Sequence, residues 1–438
     1  MSAASTHPAS PRADELRRVL SVADGIGIGV GSVIGVGIFR TTGQVLRASG
    51  GRWGAVLVWL AFGLLSLVGA TVFGRVALRI PEAGGPYAYV REAFGPRAAF
   101  VDGWFGATFA VPPRQAAQML IVGEIFALEV GGSPRAWAFG WLITLFAFHL
   151  GGVRMGASLQ RLVSTGKIAL LLGGVLVALS NVGTHAPSAS AAPAVALGPL
   201  PLGVGLAGAF YTYLGWQDVT QLAEELREPE RSLRRVLWAT VVIVTIAYVA
   251  WAASSAFAGG DEPIARSDLP LRDLALARFG PAALSVVSWM MAACILGASA
   301  ENMLVRPRLW FALARDGLAP RALGRVSPRG VPWTALTAQC ALVAAFITLA
   351  GSFTTLLVVL SIAQALTSTL EALSVVALER RGRTGLPVGA IAFAAANVGL
   401  ACVLAAQNVE AFLVSLSMAG LLVIAAALLS GTSARSRC

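Results

Sequence analysis

The sequence predicts an all-α membrane protein of twelve transmembrane helices, two inverted units of five plus two C-terminal helices, with helices 1 and 6 discontinuous. Three observations predict it. Of 438 residues, 56% are hydrophobic and only 13% charged, whereas soluble domains run near 45–50% apolar and about 25% charged. Apolar runs of the length that crosses a bilayer fall near 22–46, 54–78, 98–126, 136–153, 160–181, 200–222, 235–257, 281–304, 332–350, 353–378, 386–405 and 410–430. The first and sixth of these runs carry too much glycine, or too many polar groups, to remain helical throughout.

The first run contains GIGIGVGSVIGVGIF, Gly25 to Phe39, in which six of fifteen residues are glycine. Each disfavours helix by about 1 kcal/mol relative to alanine. A membrane helix so composed is built to come apart. Lipid offers no partner to a bare N–H or C=O, so unwound backbone at membrane depth must be buried in protein or line a cavity. The freed groups are then available to a ligand, as at the broken helices of inverted-repeat folds, which aim half-helix N-termini at anions.

Before the first run lies a polar segment, 1–21, with Arg12, Arg17 and Arg18 and no small-residue cleavage site. No cleaved signal peptide is expected. Five runs then fill 22–181, and the Pro/Ala/Ser-rich linker 183–200 follows. Because five is odd, a second unit over 200–378 starts from the opposite face. Two added helices occupy 386–430, and 431–438 is a tail. With both termini cytoplasmic, the inside segments collect 24 basic residues and the outside loops seven, the positive-inside pattern. The inside loops Pro81–Pro96 and Arg308–Gly324 are amphipathic and read as interfacial helices or gates, whereas 258–280 reads as a solvated outside loop with one short helix.

The sixth run, Gly203 to Leu226, opens with glycines and is interrupted at mid-depth by Tyr211-Thr212-Tyr213-Leu214-Gly215-Trp216-Gln217-Asp218. Taken alone this is equally a tyrosine belt at the interface. Its place opposite the glycine-rich first helix favours a second break. Of the 33 basic side chains the only lysine is Lys167, inside the fifth run. It lies on the order of 10 Å deep, where the alternatives are snorkelling to the surface and a functional partner inside the bundle. A buried amine is a candidate proton carrier or a fixed replacement for a bound cation.

Other chemistry finds little support. Cys294, Cys340, Cys402 and Cys438 form no CxxC pair, and His7, His149 and His185 are dispersed, so neither a metal, a cofactor nor a nucleophile–base pair is indicated. The net charge of +11 sits in short clusters between apolar runs, which argues for topology and against nucleic acid.

The segments GSVIGVGIF (Gly31–Phe39), PEAGGPYAYVREAFG (Pro81–Gly95), YLGWQDVTQLAEELREPERSLRRV (Tyr213–Val236) and RLWFALARDGLAP (Arg308–Pro320) resemble the amino acid-polyamine-organocation family. They are most similar to its bacterial permeases near the L-type amino acid transporter branch. The resemblance runs from the first run through the tenth. It implies a five-plus-five inverted repeat of the bacterial leucine-transporter type. It implies that backbone amides of Ile34, Gly35, Val36 and Gly37 hold a substrate carboxylate, and that carbonyls from Tyr211, Thr212, Tyr213 and Leu214 hold its amino group. Tyr213 takes the aromatic gate position. Lys167 takes the place of a sodium ion, bridging helix 1 near Gly29 to helix 8 near Ser299.

Two departures from the family pattern matter. Leu214 stands where many relatives carry an acidic or small residue, and Arg114, in VPPRQAAQM, stands where relatives often have a small one. Arg114 either satisfies carbonyls freed by the adjacent prolines or lines the site and favours a carboxylate-bearing side chain. Glu124, Glu301 and Glu371 read as gate, helix-end or ion-pair residues, with Glu301 near the cytoplasmic boundary. The resemblance implies sodium-independent amino acid transport by alternating access in the bacterial cytoplasmic membrane, by exchange or proton coupling, most simply of neutral L-amino acids. Cationic amino acids or polyamines are the alternative substrate; a membrane sensor, a channel or a membrane-embedded enzyme is the alternative class. The loop Gly131–Ala136 has no cysteine, so no disulfide-linked partner subunit is expected; the expected partners are the amino acid substrate and the lipid bilayer.

Overall fold

The computed structural model describes residues 18–35, 37–182, 199–258, 264, 266–267, 269–349, 353–382, 387–407 and separate stretches between 409 and 423. The N-terminal tail to residue 17, Val36, the linker 183–198, part of the 258–280 loop, most of 410–430 and the tail 431–438 lie outside them.

The glycine-rich first run forms two helices, α1 (Val22–Val33) and α2 (Gly37–Ala48). Ser21 and Asp24 start α1 with a capping box, the Ser21 N–H donating to the Asp24 carboxylate at 2.9 Å. Two more helices carry the second run and its following loop: α3 (Arg52–Arg79) and α4 (Pro86–Phe94). The third run is α5 (Pro96–Phe105), a π-helical turn at Gly106–Ala110, and α6 (Val111–Val130). The π turn precedes Pro112 and Pro113, where proline withholds amide donors and the ladder must re-register. Then come α7 (Pro134–His149), α8 (Val153–Ser180) and α9 (Pro199–Tyr213). The chain continues as a 3₁₀ segment, Trp216–Glu225, and α10 (Pro229–Ala258). The rest comprises α11 (Pro270–Phe279), α12 (Ala282–Val305), α13 (Pro307–Arg315), α14 (Trp333–Leu349), α15 (Phe353–Arg381) and α16 (Val388–Gln407).

Among the described residues, five helical runs are long and apolar enough to cross a membrane, and the pair Pro96–Val130 and Pro134–His149, bent by 118°, makes up to six. Trp333–Leu349 and Val388–Val403 are apolar but shorter. The fold is therefore that of an all-helical, multi-pass membrane protein. Around the breaks, α1 packs against α8, α10 and the 3₁₀ segment, α2 against α9, and α10 against α3.

The loop helices α4 and α13 pack into the protein through one face: Tyr87, Tyr89, Arg308, Trp310 and Phe311 are buried, whereas Glu92, Phe94 and Arg315 are exposed. Arg308 and Arg315 pair with the end of the 3₁₀ segment, and Arg91 with Glu82 and Asp316.

Candidate functional site

The site grows from the question of where the backbone groups at the end of α1 find partners, since the last four carbonyls of a helix have no intrahelical donor. The Val30 carbonyl accepts from the Ile34 N–H at 2.9 Å. The Gly31 carbonyl accepts from the Lys167 ammonium at 2.7 Å. The Val33 carbonyl accepts from the Tyr248 hydroxyl at 2.9 Å. A cation at a helix C-terminus also meets the negative end of the helix dipole. Lys167 is 1% exposed, so it does not snorkel.

The second break faces the first. After α9, Leu214 and Gly215 leave the helix, and Gly215 takes φ +119°. Only glycine suits that backbone, and a Cβ there would sit 2.7 Å from the Ser32 hydroxyl. Ser32 offers one hydroxyl proton to both the Gly215 carbonyl and an Asp218 carboxylate oxygen, each at 3.0 Å. Asp218 is in turn paired with buried Arg306, at the junction of α12 and α13. The upper halves approach as closely: Thr41 and Thr212 share a hydrogen bond of 3.0 Å, and a Cβ on Gly37 would stand 2.9 Å from the Thr212 hydroxyl.

Three aromatic rings close one side of the breaks. Trp59, Tyr213 and Tyr248 have centroid separations of 6.0, 5.7 and 5.2 Å. The Tyr213 hydroxyl donates to the Trp59 carbonyl at 2.9 Å. Tyr213 and Tyr248 are buried, and Tyr211 is half-buried, so Tyr213 belongs to the packing of the break.

The sequence-derived residues other than Val36 all fall within the described structure. The Ile34 N–H is engaged within α1, Gly35 and Gly37 flank the break, and Val36 lies outside the described residues. Among the carbonyls, that of Tyr211 accepts from the Leu214 N–H at 3.2 Å, and that of Thr212 from Tyr248 at 3.3 Å. A carbonyl has two lone pairs, so both retain capacity for a further donor. The Leu214 side chain packs with Phe210 and Leu400. The Arg114 guanidinium lies over the Tyr211 ring, 5.7 Å from its centroid. Lys167 reaches Gly31 and not Gly29, which packs against Val219 and Thr240. On α12 its stem passes Gly297, where a Cβ would stand 3.1 Å from Cε. The Ser299 hydroxyl donates to Gln118 at 2.9 Å. On α1, Lys167 thus bonds two residues beyond Gly29, at a carbonyl that the end of the helix leaves free. Glu124 is exposed, Glu371 half-buried and Glu301 buried.

Sequence reasoning missed the ion pairs that join the three motif loops. Arg308 binds Glu225 with two hydrogen bonds, 2.6 and 2.9 Å, both side chains fully buried. Arg315 pairs with Glu224 at 2.6 Å, and Arg91 with Glu82 at 2.6 Å and with Asp316. The Tyr87 hydroxyl donates to Asp316 at 2.8 Å; burial, with the Asp316 charge, pushes that hydroxyl's pKa up, so it stays a donor at physiological pH. Leu20, just before α1, is stapled to the end of the 3₁₀ segment by two backbone bonds of 2.9 Å. A signal was available: the chain has five tyrosines, and Tyr87, Tyr89, Tyr211, Tyr213 and Tyr248 all lie at the breaks or this latch.

Two broken helices thus lie back to back inside an all-helical membrane protein, with a latch on one side and an aromatic cover on another. A family profile described as Amino acid permease matches residues 20–433, and the chain belongs to that family. It is 28% identical over 346 residues to the Large neutral amino acids transporter small subunit 2 of Oryctolagus cuniculus, covering 74% of this chain and 63% of that protein. The chain thus spans under two thirds of that relative's length. The Serine/threonine exchanger SteT of Bacillus subtilis is 26% identical over 334 residues, 75% of this chain and 76% of its own. The b(0,+)-type amino acid transporter 1 of Rattus norvegicus is 27% identical over 341 residues, with 74% and 68% covered.

Proposed function

We propose that the protein is a sodium-independent secondary transporter of amino acids, most simply neutral L-amino acids, working by alternating access with exchange or proton coupling. The observation that carries this reading is the capping of α1 by Lys167 at the Gly31 carbonyl, 2.7 Å away, beside a break in the helix. A fixed ammonium there supplies the positive charge that a bound sodium ion would otherwise bring to helix-end carbonyls. The relatives named above, two transporters and an exchanger, support the same reading.

In this account Gly35, Val36 and Gly37 receive the substrate carboxylate. The first amides of α2 have no intrahelical acceptor, and glycine lets an anion approach the backbone. The carbonyls of Tyr211 to Leu214 receive the ammonium, and Tyr213 gates the site with Trp59 and Tyr248. Arg114, stacked on Tyr211, faces the same break and disfavours a cationic substrate side chain. The ion pairs among α4, the 3₁₀ segment and α13 form the cytoplasmic gate.

The same proposal takes the fold as twelve crossings in two inverted repeats, 22–181 and 200–378, with two added helices and both termini cytoplasmic. The paired breaks at Gly35 and Gly215 support it. It includes no enzyme activity, and no disulfide-linked partner, since the loop Gly131–Ala136 has no cysteine. The test is thermal unfolding of the purified protein with a panel of amino acids. Neutral L-amino acids raise the melting temperature and cationic ones do not. Stabilisation by lysine or putrescine alone would overturn the substrate class, and by no amino acid at all, the function.

A further inference from the structure

Behind the latch lies an internal cavity of about 30 Å³, lined by Asp102, Gln221, Arg306, Gln364, Thr367 and Glu371. A water needs on the order of 10–15 Å³ measured in this way, so the space suits one or two waters and excludes an amino acid. Asp102 from α5, Gln221 from the 3₁₀ segment and Glu371 from α15 each present a buried oxygen with no hydrogen-bond partner among the described residues. Gln221 is 3% and Asp102 5% exposed, so water outside the protein does not serve them. Unmade hydrogen bonds at buried oxygens are costly, and all three are acceptors converging on one space. Three unpartnered acceptors thus face one unpartnered donor, the Arg306 Nε, so the space is short of donors.

The charged and titratable groups facing the pair are few. Arg306 lines the cavity, with its Nε unpartnered, but its terminal nitrogen is committed to Asp218. From α4, the Tyr87 hydroxyl is spent on Asp316, and buried Tyr89 stands near Glu371. The guanidinium in the lining argues against a metal ion, and no group of three or more His, Cys, Asp or Glu residues able to hold one occurs among the described residues.

We infer that Asp102 and Glu371 hold one proton between them, making this cavity a proton-binding site separate from Lys167 and from the helix breaks. The O–H of one carboxyl donates to the carboxylate of the other, and a water in the remaining space donates to Gln221. Two carboxylates sharing one site do not both ionise readily. When the proton leaves, it passes to that water, and both carboxylates then face Arg306.

The inference goes beyond the transport reading and is tested without substrate, so failure of either leaves the other standing. The experiment is infrared spectroscopy of the full-length protein in lipid nanodiscs at neutral pH, read at the carboxylic-acid carbonyl stretch in H₂O and D₂O. The wild type shows a deuterium-sensitive band. Asp102→Asn and Glu371→Gln each remove the same full component of it, and the double variant removes no more, because there is one proton. If one variant fails to fold, the other carries the test. A band unchanged by either substitution, two half-losses that add in the double variant, or loss of the band when sodium replaces choline would each overturn the proposal.

Discussion

The Lys167 ammonium donates to the Gly31 carbonyl at 2.7 Å, while the Tyr248 hydroxyl donates to the Val33 carbonyl at 2.9 Å. Two side chains from different helices therefore complete the C-terminus of α1 where glycine and the membrane interior deny it other partners. With the Val30 carbonyl held by the Ile34 N–H, three of the last four carbonyls of α1 are bonded, so its end is a fixed feature of the fold and not frayed.

Tyr248→Phe tests the neutral half of that cap. The variant keeps the ring packing with Trp59 and Tyr213 but strips the shared donor from the Val33 and Thr212 carbonyls. A buried carbonyl left unsatisfied costs about 1–3 kcal/mol. The variant melts at a lower temperature than wild type in the same detergent, and an unchanged melting curve would show that the hydroxyl is not structural.

Gly215→Ala tests the second break. With φ at +119° and the Ser32 hydroxyl 2.7 Å from where a Cβ would stand, alanine meets both strain and a clash. Such backbone strain alone is of order 1–3 kcal/mol. Folded yield falls, and Ser32→Ala in the same chain recovers only the part due to the hydroxyl, since the Ser32 carbonyl oxygen, 2.9 Å from that Cβ, remains. Recovery to wild-type yield would mean that the backbone carries no strain.

The legibility of these features in the sequence followed their chemistry. The break near Gly35 was visible because six glycines in fifteen residues have no helical explanation. Lys167 was visible because it is the only lysine. Lys167 is buried in the bundle, but its partner was set by where α1 ends, and a glycine run does not mark which carbonyl is last. Tyr248 was hidden because a single tyrosine in an apolar helix reads as core. The latch was hidden for a different reason: Glu225 and Arg308 stand far apart in the chain, and each reads alone as a loop charge on a cytoplasmic segment.

Arg308→Ala tests the latch. The guanidinium is 2% exposed and pairs with a fully buried Glu225, and removing one partner of a buried pair costs about 3–5 kcal/mol. Replacing both partners, Arg308→Met with Glu225→Leu, recovers stability in a thermal melt. Were the double variant as unstable as the single, packing and not the uncompensated charge would be the cause.

The most direct test of the central claim is uptake of radiolabelled neutral amino acids into proteoliposomes in sodium-free buffer, comparing wild type with Lys167→Ala. Wild type accumulates substrate with no sodium present, faster with internal substrate if it exchanges or with an inward proton gradient if it is a symporter. The Lys167→Ala protein, still monodisperse, does not. Uptake that requires sodium in the wild type, or that survives intact in Lys167→Ala, would contradict the account.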